Sequence, residues 1–368
     1  MKVLVTGADG FVGKNLCVSL IRTESVEVIK FTRDSNQDDL TELVSSVDFI
    51  FHLAGINRPK DDSEFFEGNA DLTETICNTV KASGRNIPIA LTSSTQAERP
   101  NAYGRSKLKA EMHLLNLYME TGNNIYIYRL PNVFGKWCKP NYNSVVATFC
   151  HNISHGFPIQ VNDPDAELDL VHIGSVVSSF LMIMQNRPDD KIHVDIEPIY
   201  HIKLGALAEQ LYKFKNSRET LVTEPVGDGF IRVLYATYIS YIAPTDFNYP
   251  LTKHEDPRGS FVEMLKTQDS GQFSFFTAHP GVTRGGHYHH VKTEKFLVIR
   301  GKARFGFRHI ITNELCEIYT SGEKPEVVET VPGWSHDVTN IGEDEMVVML
   351  WANENFDKQR PDTVAYKV

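Results

Sequence analysis

The hydrophobic pattern of this chain changes once, close to residue 243, and that change limits the possible folds more than any other feature. Up to about residue 240, short β-branched runs alternate with longer segments of helical period. This alternation predicts a doubly wound parallel β-sheet with helices on both faces. After APTDFNYPL the helical period disappears, and runs of period-two alternation predict an all-β sandwich or small barrel. We therefore expect two domains, residues 1–243 and 244–368.

Individual elements follow from the same periodicities. The segments LTETICNTVKAS and SKLKAEMHLLNLYMET predict amphipathic helices between strands. In ARFGFRH, the residues Ala303, Phe305 and Phe307 share one face, as in a half-buried strand. The predicted strands of the first domain are KVLVT, VEVIKF, DFIFHLAG, IPIALTSS and NIYIYRL.

Charge, cysteine content and hydropathy exclude several classes of protein. The formal charge of −10 argues against a nucleic-acid or anionic-membrane surface. The five cysteines include no CxxC pair, which is typical of a reducing compartment. The apolar stretch LVHIGSVVSSFLMIMQ is too short to span a bilayer, and MKVLVTG is too short for a secretion signal. We therefore expect a cytoplasmic protein with no nucleic-acid and no membrane partner.

The segment TGADGFVG places three glycines directly after the first predicted strand and opens a helix. Gly7, Gly10 and Gly13 permit a tight turn and a close backbone approach to a pyrophosphate, which the helix N-terminus then stabilises. Phe11 and Val12 lie within the same turn. This position at the start of a βαβ pattern predicts a dinucleotide site.

The end of the second predicted strand, IKFTRDS, bears on which dinucleotide binds. The acidic residue that usually holds a ribose 2′-hydroxyl is not at this strand tip, and Arg33 stands there instead. Because a cation suits a 2′-phosphate, the sequence favours NADP(H) over NAD(H).

The segments TSSTQA and YGRSK combine a hydroxyl-rich strand end with a tyrosine–lysine pair. Tyr103 and Lys107 are four residues apart, so they share one helix face, where the ammonium can lower the pKa of the phenol. Tyr103 would then donate a proton to an alkoxide that hydride transfer forms from a ketone. Ser94 is the expected partner on the same oxygen, with Ser93 or Thr95 as alternatives.

Residues 1 to about 240 resemble an extended short-chain dehydrogenase/reductase of the nucleotide-sugar branch, which has a Rossmann-type fold. Besides the glycine turn and YxxxK, the resemblance includes HLAG, RLPNVFG and LDLVHIGSVV. It implies that Leu53, Ala54 and Lys107 contact the cofactor and that Asn132 contacts the substrate. The gap from Ser94 to Tyr103 is shorter than is usual in that family, so the choice of serine stays open.

Histidines recur in the second domain, first in GGHYHHVKTEKF and again in PGWSHDVTN. His287 and His289 lie on the same face of an extended strand, and Glu294 follows across the next turn. His336 comes forty-two residues after Glu294. Three imidazoles and a carboxylate form an N/O ligand set with an open position, suited to zinc or another divalent metal. His290 is held in reserve, because a bulge would let it replace His289.

The spacings HxHx4Ex6G and PGxxHx3N resemble both halves of the cupin signature, which implies a jelly-roll domain with a metal at those four residues. The segments HEDPRGSFVEML and RGGHYH also resemble dTDP-4-keto-sugar 3,5-epimerases. The second resemblance implies His287 as general base and Lys295 as the partner of an enolate. Arg258 and Arg284 become candidate contacts to the substrate's phosphates. Those epimerases act without a metal, so His287 is either a ligand or a base.

The two predicted domains carry chemically linked activities. A C4 ketone makes the C3 hydrogen acidic once the enolate oxygen is stabilised, whereas reduction removes that ketone, so epimerisation must come first. The whole arrangement resembles the bifunctional enzymes of capsular polysaccharide synthesis. That resemblance implies C3 epimerisation of a UDP-4-keto-6-deoxy-HexNAc, then NADPH reduction to UDP-N-acetyl-6-deoxy-L-talosamine, a precursor of UDP-N-acetyl-L-fucosamine. Members of both families commonly form homodimers.

Two other interpretations stay open. In the first, only the reductase is catalytic, and the second domain is a dimerisation or sugar-binding module. In the second, the chain is a nucleotide-binding scaffold without catalysis, an interpretation that the presence of Tyr103 and Lys107 disfavours.

Overall fold

The computed structural model describes residues 1–36, 39–186, 188, 192–357, 359 and 361–368. The chain divides into two compact units. The first comprises Met1–Tyr212 and Arg232–Ala243, and the second comprises Lys213–Ile231 and Pro244–Val368. Within the described ranges, no helix is both long and apolar enough to cross a bilayer.

A parallel β-sheet forms the centre of the first unit. Its strands are β1 (Lys2–Thr6), β2 (Glu27–Phe31), β3 (Phe49–His52), β4 (Ile89–Ser94) and β5 (Ile125–Leu130). They lie in the order β2-β1-β3-β4-β5, and every neighbouring pair is parallel. Most of these strand residues are buried, which explains their nearly continuous apolar sequences.

Helices pack against both faces of this sheet. The helices of the chain are α1 (Phe11–Ile21), α2 (Asp39–Ser46), α3 (Ser63–Phe65), α4 (Leu72–Ser83), α5 (Ala102–Thr121), α6 (Val145–Ser154), α7 (Ile173–Asn186), α8 (Leu204–Thr220) and α9 (Gly229–Ile239), with a π-helix at Phe66–Asp71 and 3-10 helices at Thr95–Glu98 and Pro244–Asp246. Successive residues of β1 enter two different cores: Val3 and Val5 join the one with α1 and α7, and Leu4 joins the one with α2 and α4. The predicted Rossmann-like doubly wound fold is confirmed.

A small second sheet follows the parallel one along the chain. β6 (Asn132–Phe134) pairs in parallel with β7 (Glu167–His172), and β7 pairs antiparallel with β8 (Ile199–Lys203). Only Pro131 separates β5 from β6, so Asn132 lies close to the carboxyl end of β5.

Two largely antiparallel sheets form the second unit. The strands are β9 (Val222–Thr223), β10 (Lys253–Asp256), β11 (Gly259–Thr267), β12 (Gln272–Ala278), β13 (Thr283–Tyr288), β14 (Glu294–Arg300), β15 (Lys302–His309), β16 (Leu315–Ser321), β17 (Val327–Glu329), β18 (Trp334–Asn340), β19 (Met346–Ala352) and β20 (Val364–Ala365). One sheet has the order β10-β11-β12-β19-β14-β17, with β9 beside β11, and the other has the order β16-β15-β18-β13-β20. Phe276 and Phe296 from the first sheet share a core with Phe305 and Val338 from the second. The predicted all-β sandwich is confirmed.

The boundary between the units differs in one segment from the predicted division at residue 243. The structure groups residues 213–231 with the second unit, whereas the sequence analysis placed them in the first domain. The reason is a long-range strand pairing: Val222 and Thr223 of β9 lie beside Lys266 and Thr267 of β11. Helical periodicity before residue 220 gives no sign of that pairing.

Candidate functional site

The glycine turn between β1 and α1 brings backbone atoms unusually close together. Gly7 has a φ of 65°, and a Cβ atom there would lie 2.7 Å from the Ala54 nitrogen. A Cβ atom on Gly13 would lie 2.2 Å from the Gly7 oxygen. Gly10 precedes α1 and has no side chain to cap the first N–H groups of the helix, which suits a pyrophosphate at this end.

The HLAG segment is fixed by a chain of buried hydrogen bonds. The Leu53 and Ala54 N–H groups both donate to Thr6 Oγ1 at 3.2 Å. Since Thr6 Oγ1 accepts these bonds, its hydroxyl donates to His52 Nδ1 at 2.7 Å, and His52 Nε2 then donates to Thr73 Oγ1 at 2.9 Å. Burial lowers the pKa of His52 to about 3, so the ring is neutral. Because Thr6 binds both amides, Leu53 and Ala54 are left to meet a cofactor with their side chains and carbonyls.

The remaining predicted cofactor residues lie around the same turn. Phe11 and Val12 form the first residues of α1 and are half-buried. Arg33 is exposed, two residues beyond the end of β2. An exposed guanidinium at this strand tip is open to an anionic ligand.

Tyr103 and Lys107 lie on α5, and Ser94 ends β4 beside them. The Ser94 hydroxyl lies close enough to Tyr103 to lower the pKa of its phenol. Lys107 Nζ lies 5.9 Å from the centroid of the Tyr103 ring and donates to the Thr92 carbonyl at 3.1 Å. The structure thus brings together a phenol, a hydroxyl and a buried ammonium at the carboxyl end of β4.

The electrostatics of this group differ from the sequence-based expectation. We expected the ammonium to lower the pKa of the phenol, but burial raises the pKa of Tyr103 and the bond with Ser94 offsets only part of that effect. Burial also lowers the pKa of Lys107 to about 8, against the opposing charge of Glu111. Tyr103 therefore keeps its proton at neutral pH, as a proton donor must.

Ser93, Ser94 and Thr95 differ in their surroundings. The Ser93 hydroxyl donates to the buried Glu111 carboxylate, which Arg129 holds with Nε at 3.0 Å from Oε1 and Nη2 at 2.7 Å from Oε2. Thr95 is exposed at the start of the 3-10 helix. Of the three, Ser94 is the one that contacts Tyr103.

Asn132, the predicted substrate contact, is exposed on β6. Its side-chain amide donates weakly to the Asp169 carbonyl of β7 at 3.4 Å. That long bond leaves the side chain able to turn toward another partner.

The second unit contains a buried cluster of three histidines and a glutamate. One possible ligand atom from each of His287, His289, Glu294 and His336 lies within 4.8 Å of the others. The ring centroid of His287 is 4.7 Å from that of His336 and 5.0 Å from that of His289. The structure therefore brings the four predicted ligand residues to one point.

A β-bulge directs His287 into this cluster. His287 on β13 lies opposite His336 on β18, and the register shifts between Gly285 and His287. Gly285 and Gly286 have φ values of 96° and 79°, a backbone region that other residues rarely adopt. The RGGH sequence therefore supplies the glycines that the bulge requires.

Two ring nitrogens of the cluster face the same oxygen of the carboxylate. His289 Nδ1 donates to the Asp362 carbonyl, so His289 Nε2 presents a lone pair 3.2 Å from Glu294 Oε2 unless the ring is charged. His336 Nε2 lies 3.4 Å from the same oxygen, and neither His336 ring nitrogen has a hydrogen-bond partner among the described residues. Imidazole nitrogens grouped around one carboxylate are a donor set that fits a metal ion.

The charge states suit metal binding. Burial lowers the pKa of His287 to about 4, so its ring is neutral at pH 7. Burial alone would raise the pKa of Glu294, but contacts with His289, His336 and Lys292 together hold that pKa well below its usual range. Neutral imidazoles and an ionised carboxylate are the forms that bind metals.

Two predicted residues lie outside the cluster. His290 is exposed, packs on Tyr288 at 5.3 Å between ring centroids, and does not replace His289. Lys295 is exposed and pairs with Glu329, because strand alternation along β14 turns it away from the buried Glu294. The structure therefore places Lys295 apart from the four candidate ligands, and its role as the partner of an enolate stays a prediction.

Lys292 and Asp362 are residues that the sequence analysis missed. Lys292 is buried, with Nζ 3.0 Å from Glu294 Oε1. Its position two residues before Glu294 was a usable signal, since such residues share a face. Asp362 carries no comparable local signal, because it comes from the far end of the chain.

Arg258 and Arg284 have different surroundings. Arg258 is exposed, and its Nη2 lies 2.6 Å from Asp256 Oδ2. The Arg284 guanidinium lies 5.3 Å from the centroid of the Phe276 ring, and its Nη2 lies 3.9 Å from Asp256 Oδ1. Its buried Nε and Nη2 have no hydrogen-bond partner among the described residues. Arg284 is therefore better placed than Arg258 to receive an anion.

Two family models match the two units. The NAD dependent epimerase/dehydratase family matches residues 3–196, and the Polysaccharide biosynthesis C-terminal domain matches residues 254–364. The first match includes the glycine turn and Tyr103, and the second includes the histidine cluster.

Relatives of full length share both units. UDP-2-acetamido-2,6-beta-L-arabino-hexul-4-ose reductase of Pseudomonas aeruginosa is 59% identical over 368 residues, 100% of this chain and 99% of the relative. The crystal structure of the capsular polysaccharide assembling protein CapF from Staphylococcus aureus matches with a TM-score of 0.93 and 42% identity over 100% of both chains. UDP-glucuronic acid 4-epimerase from Bacillus cereus shares the fold alone, with a TM-score of 0.57 and 16% identity over 66% of this chain and 98% of that one. The chain therefore belongs to the NAD dependent epimerase/dehydratase family, in a two-domain form with a polysaccharide biosynthesis C-terminal domain.

Proposed function

We propose that the first unit reduces the C4 ketone of a UDP-linked 4-keto-6-deoxy-N-acetylhexosamine. The observation that carries this proposal is the grouping of Tyr103 with Ser94 and Lys107 at the carboxyl end of β4, with Lys107 Nζ 5.9 Å from the centroid of the Tyr103 ring. Bound NADPH would supply the hydride to C4. Tyr103 donates its phenolic proton to the C4 oxygen while Ser94 orients that oxygen. The name of the relative that is 59% identical supports this substrate class.

Lys107 and Asn132 have supporting roles in this proposal. The buried Lys107 ammonium stabilises the phenolate that remains after Tyr103 has given up its proton, and it also contacts the cofactor. Asn132, exposed on β6 close to the carboxyl end of β5, contacts the sugar.

NADP(H) is the proposed cofactor. The turn at Gly7, Gly10 and Gly13 takes the pyrophosphate, and the exposed Arg33 takes the 2′-phosphate. Replacing Arg33 with glutamine should raise the KM for NADPH about 10- to 100-fold and leave the KM for NADH nearly unchanged, because a charged hydrogen bond is lost. Equal changes for the two cofactors would contradict this assignment.

We infer that the second unit is a cupin domain with a divalent metal centre, zinc being favoured by its N/O donors. His287, His289, Glu294 and His336 would hold the metal, since their ligand atoms converge within 4.8 Å. A metal there would act as a Lewis acid on the substrate's carbonyl oxygen. Arg284 takes a phosphate of the nucleotide, because its buried donors have no hydrogen-bond partner among the described residues.

The proposed reaction of this centre is inversion at C3 of the same 4-keto sugar. A base takes up the C3 proton while the electrons of that bond form an enolate with the C4 oxygen, and an acid then returns a proton to the opposite face of C3. Reduction at C4 then yields UDP-N-acetyl-6-deoxy-L-talosamine, on the route to UDP-N-acetyl-L-fucosamine and capsular polysaccharide. Full-length similarity to CapF supports that place in synthesis.

One observation favours a second role for the all-β unit, that of a dimerisation module. The outward face of the β14 sheet carries an apolar groove lined by Leu297, Val327, Met349 and Trp351. Such a groove is typical of a surface that another chain covers, so we propose a homodimer. A monomeric mass in sedimentation at micromolar concentration would contradict this.

The reductase proposal is tested with the UDP-linked 4-keto sugar and NADPH. The chain should consume NADPH in step with substrate and form a C4 alcohol visible by NMR. Tyr103→Phe should lower that rate about 100-fold or more, because it lacks the donated proton. Tyr118→Phe, on the exposed face of the same helix, is the matched control. Equal rates for the Tyr103 variant and the parent would overturn the proposal.

A further inference from the structure

The last residues of the chain cross the histidine cluster as a strap, which we define as residues 361–368. Its strand β20 pairs antiparallel with β13, with Ala365 opposite His287 and Val364 opposite Tyr288. Tyr366 N–H donates to the Gly286 carbonyl at 2.9 Å. The Tyr366 carbonyl accepts from the hydroxyl of Ser335, the residue before His336. The strap therefore holds the backbone around two of the four proposed ligands.

Asp362 makes the strap's contact with a third ligand. Its main-chain carbonyl accepts the Nδ1 hydrogen of His289. A carbonyl can only accept, so this bond fixes the hydrogen on Nδ1 and turns Nε2 toward Glu294. His289 thereby presents the one nitrogen that the cluster needs.

The side chain of Asp362 secures the loop between His289 and Glu294. Its Oδ1 accepts from the His290 N–H at 2.9 Å, and its Oδ2 accepts from the Val291 and Lys292 N–H groups at 2.7 Å each. Burial acts against the charge, but these three donors hold the pKa of Asp362 at about 2. The carboxylate is therefore ionised and its loop is tied down at all ordinary pH values.

We propose that Asp362 is a positioning residue of the metal centre and that the strap presets the ligands before the metal arrives. This inference rests on the metal centre of the proposed function. A hydrogen bond to the second nitrogen of a ligand histidine fixes its orientation and raises its basicity, and losing such a partner typically costs about 10- to 100-fold in metal affinity. Without the strap, the metal itself would have to order His289 and the loop that follows it.

The test compares zinc binding by graded variants of the full chain. Asp362→Asn keeps one acceptor oxygen, Asp362→Ala removes the carboxylate but keeps the carbonyl, and a chain ending at Pro361 removes both together with β20. Asp269→Asn is the matched control, since its exposed carboxylate accepts only a local bond from Ser270 among the described residues.

Apparent zinc dissociation constants are measured by competition with a chromogenic chelator. The visible spectrum of the cobalt form and the thermal unfolding of the metal-free protein are recorded for each.

Zinc affinity should fall by a few-fold for Asp362→Asn, about tenfold for Asp362→Ala and about 100-fold for the shortened chain, with Asp269→Asn equal to the parent. The cobalt spectrum should change in the same order. Unchanged zinc affinity and spectrum in the Asp362 variants, with only a lower melting temperature, would overturn the inference. Failure of the parent to bind zinc or cobalt would instead overturn the proposed metal centre, so the two failures are distinguishable. NADPH oxidation reports whether the first unit of each variant is folded, and the thermal unfolding of the metal-free protein reports the folding of the second.

Discussion

The hydroxyls of Ser93 and Ser94 on β4 have different partners, because successive residues of a strand point to opposite faces. Ser94 contacts Tyr103, whereas Ser93 donates to the buried Glu111 carboxylate. Replacing Ser94 with alanine should therefore lower the reduction rate about tenfold or more, because a bond to the reacting oxygen is lost.

Ser93→Ala is the contrasting variant at this strand end. It leaves Glu111 with one hydrogen-bond donor fewer, so it should lower the free energy of unfolding by about 1–3 kcal/mol and change the turnover of folded protein little. Denaturant unfolding and steady-state kinetics on both variants check this division. A Ser93 variant that loses turnover while Ser94→Ala retains it would reverse the assignment.

Lys107 gives the reduction a pH dependence. Burial lowers the pKa of Lys107 to about 8, so the ammonium is present below that pH and is lost above it. Since only the charged form stabilises the Tyr103 phenolate, kcat/KM should decline above about pH 8. Lys107→Arg stays protonated to about pH 12, so any activity that it retains should decline only at higher pH. Identical pH profiles for the two proteins would exclude Lys107 as the titrating group.

Lys295 and His336 offer a matched comparison in the second unit. His336 is buried in the cluster, and Lys295 is exposed on the outward face of β14. His336→Ala should reduce bound zinc from about one ion per chain to nearly none, whereas Lys295→Met should keep it. Elemental analysis of both purified variants checks this. Zinc loss in the Lys295 variant alone would show that the ligand set is misassigned.

At the scale of elements, the start of α1 depends on glycine at position 13. A Cβ atom there would lie 2.2 Å from the Gly7 oxygen, so the turn must open to accept Gly13→Ala. We expect NADPH affinity to fall about tenfold or more, because the turn no longer fits a pyrophosphate. Gly227→Ala is the control, since a Cβ atom there meets nothing within 4 Å. Fluorescence titration with NADPH measures both, and equal affinities would contradict the proposed site.

Elements that depend on local periodicity could be predicted from the sequence. The segment LTETICNTVKAS covers the same residues as α4 (Leu72–Ser83), because the spacing of its apolar residues is helical. The HxH spacing and the glycines of the bulge also point to the cluster. Lys292, rather than Lys295, is the lysine whose ammonium lies beside Glu294, because Lys295 follows Glu294 on β14 and points to the opposite face of the strand.

Elements that depend on distant pairing could not be predicted in this way. β9 belongs with β11, forty-four residues later, as the pairing of Val222 with Lys266 shows. The strap reaches His289 from Asp362, seventy-three residues along the chain. The local sequence of β9 and that of the strap do not indicate which strand each pairs with, because strand pairing is set by tertiary packing.

At the scale of the whole molecule, one proposed centre lies among the described residues of each unit. Tyr103, Ser94 and Lys107 lie in the first unit, and the histidine cluster lies in the second. Both proposed reactions act on a 4-keto sugar, and the reduction consumes the C4 ketone that the epimerisation requires. The order of the steps follows from this chemistry, and it makes the two centres separable by mutation.

The most direct test of this account follows hydrogen exchange at C3 of the UDP-linked 4-keto sugar in deuterated water without NADPH. The parent and Tyr103→Phe should incorporate deuterium at C3, because proton removal needs the second centre alone. His336→Ala should not incorporate it, although it should still oxidise NADPH with a 4-keto sugar. Absence of exchange in the parent, or exchange that persists in His336→Ala, would contradict the assignment of C3 epimerisation to the histidine cluster.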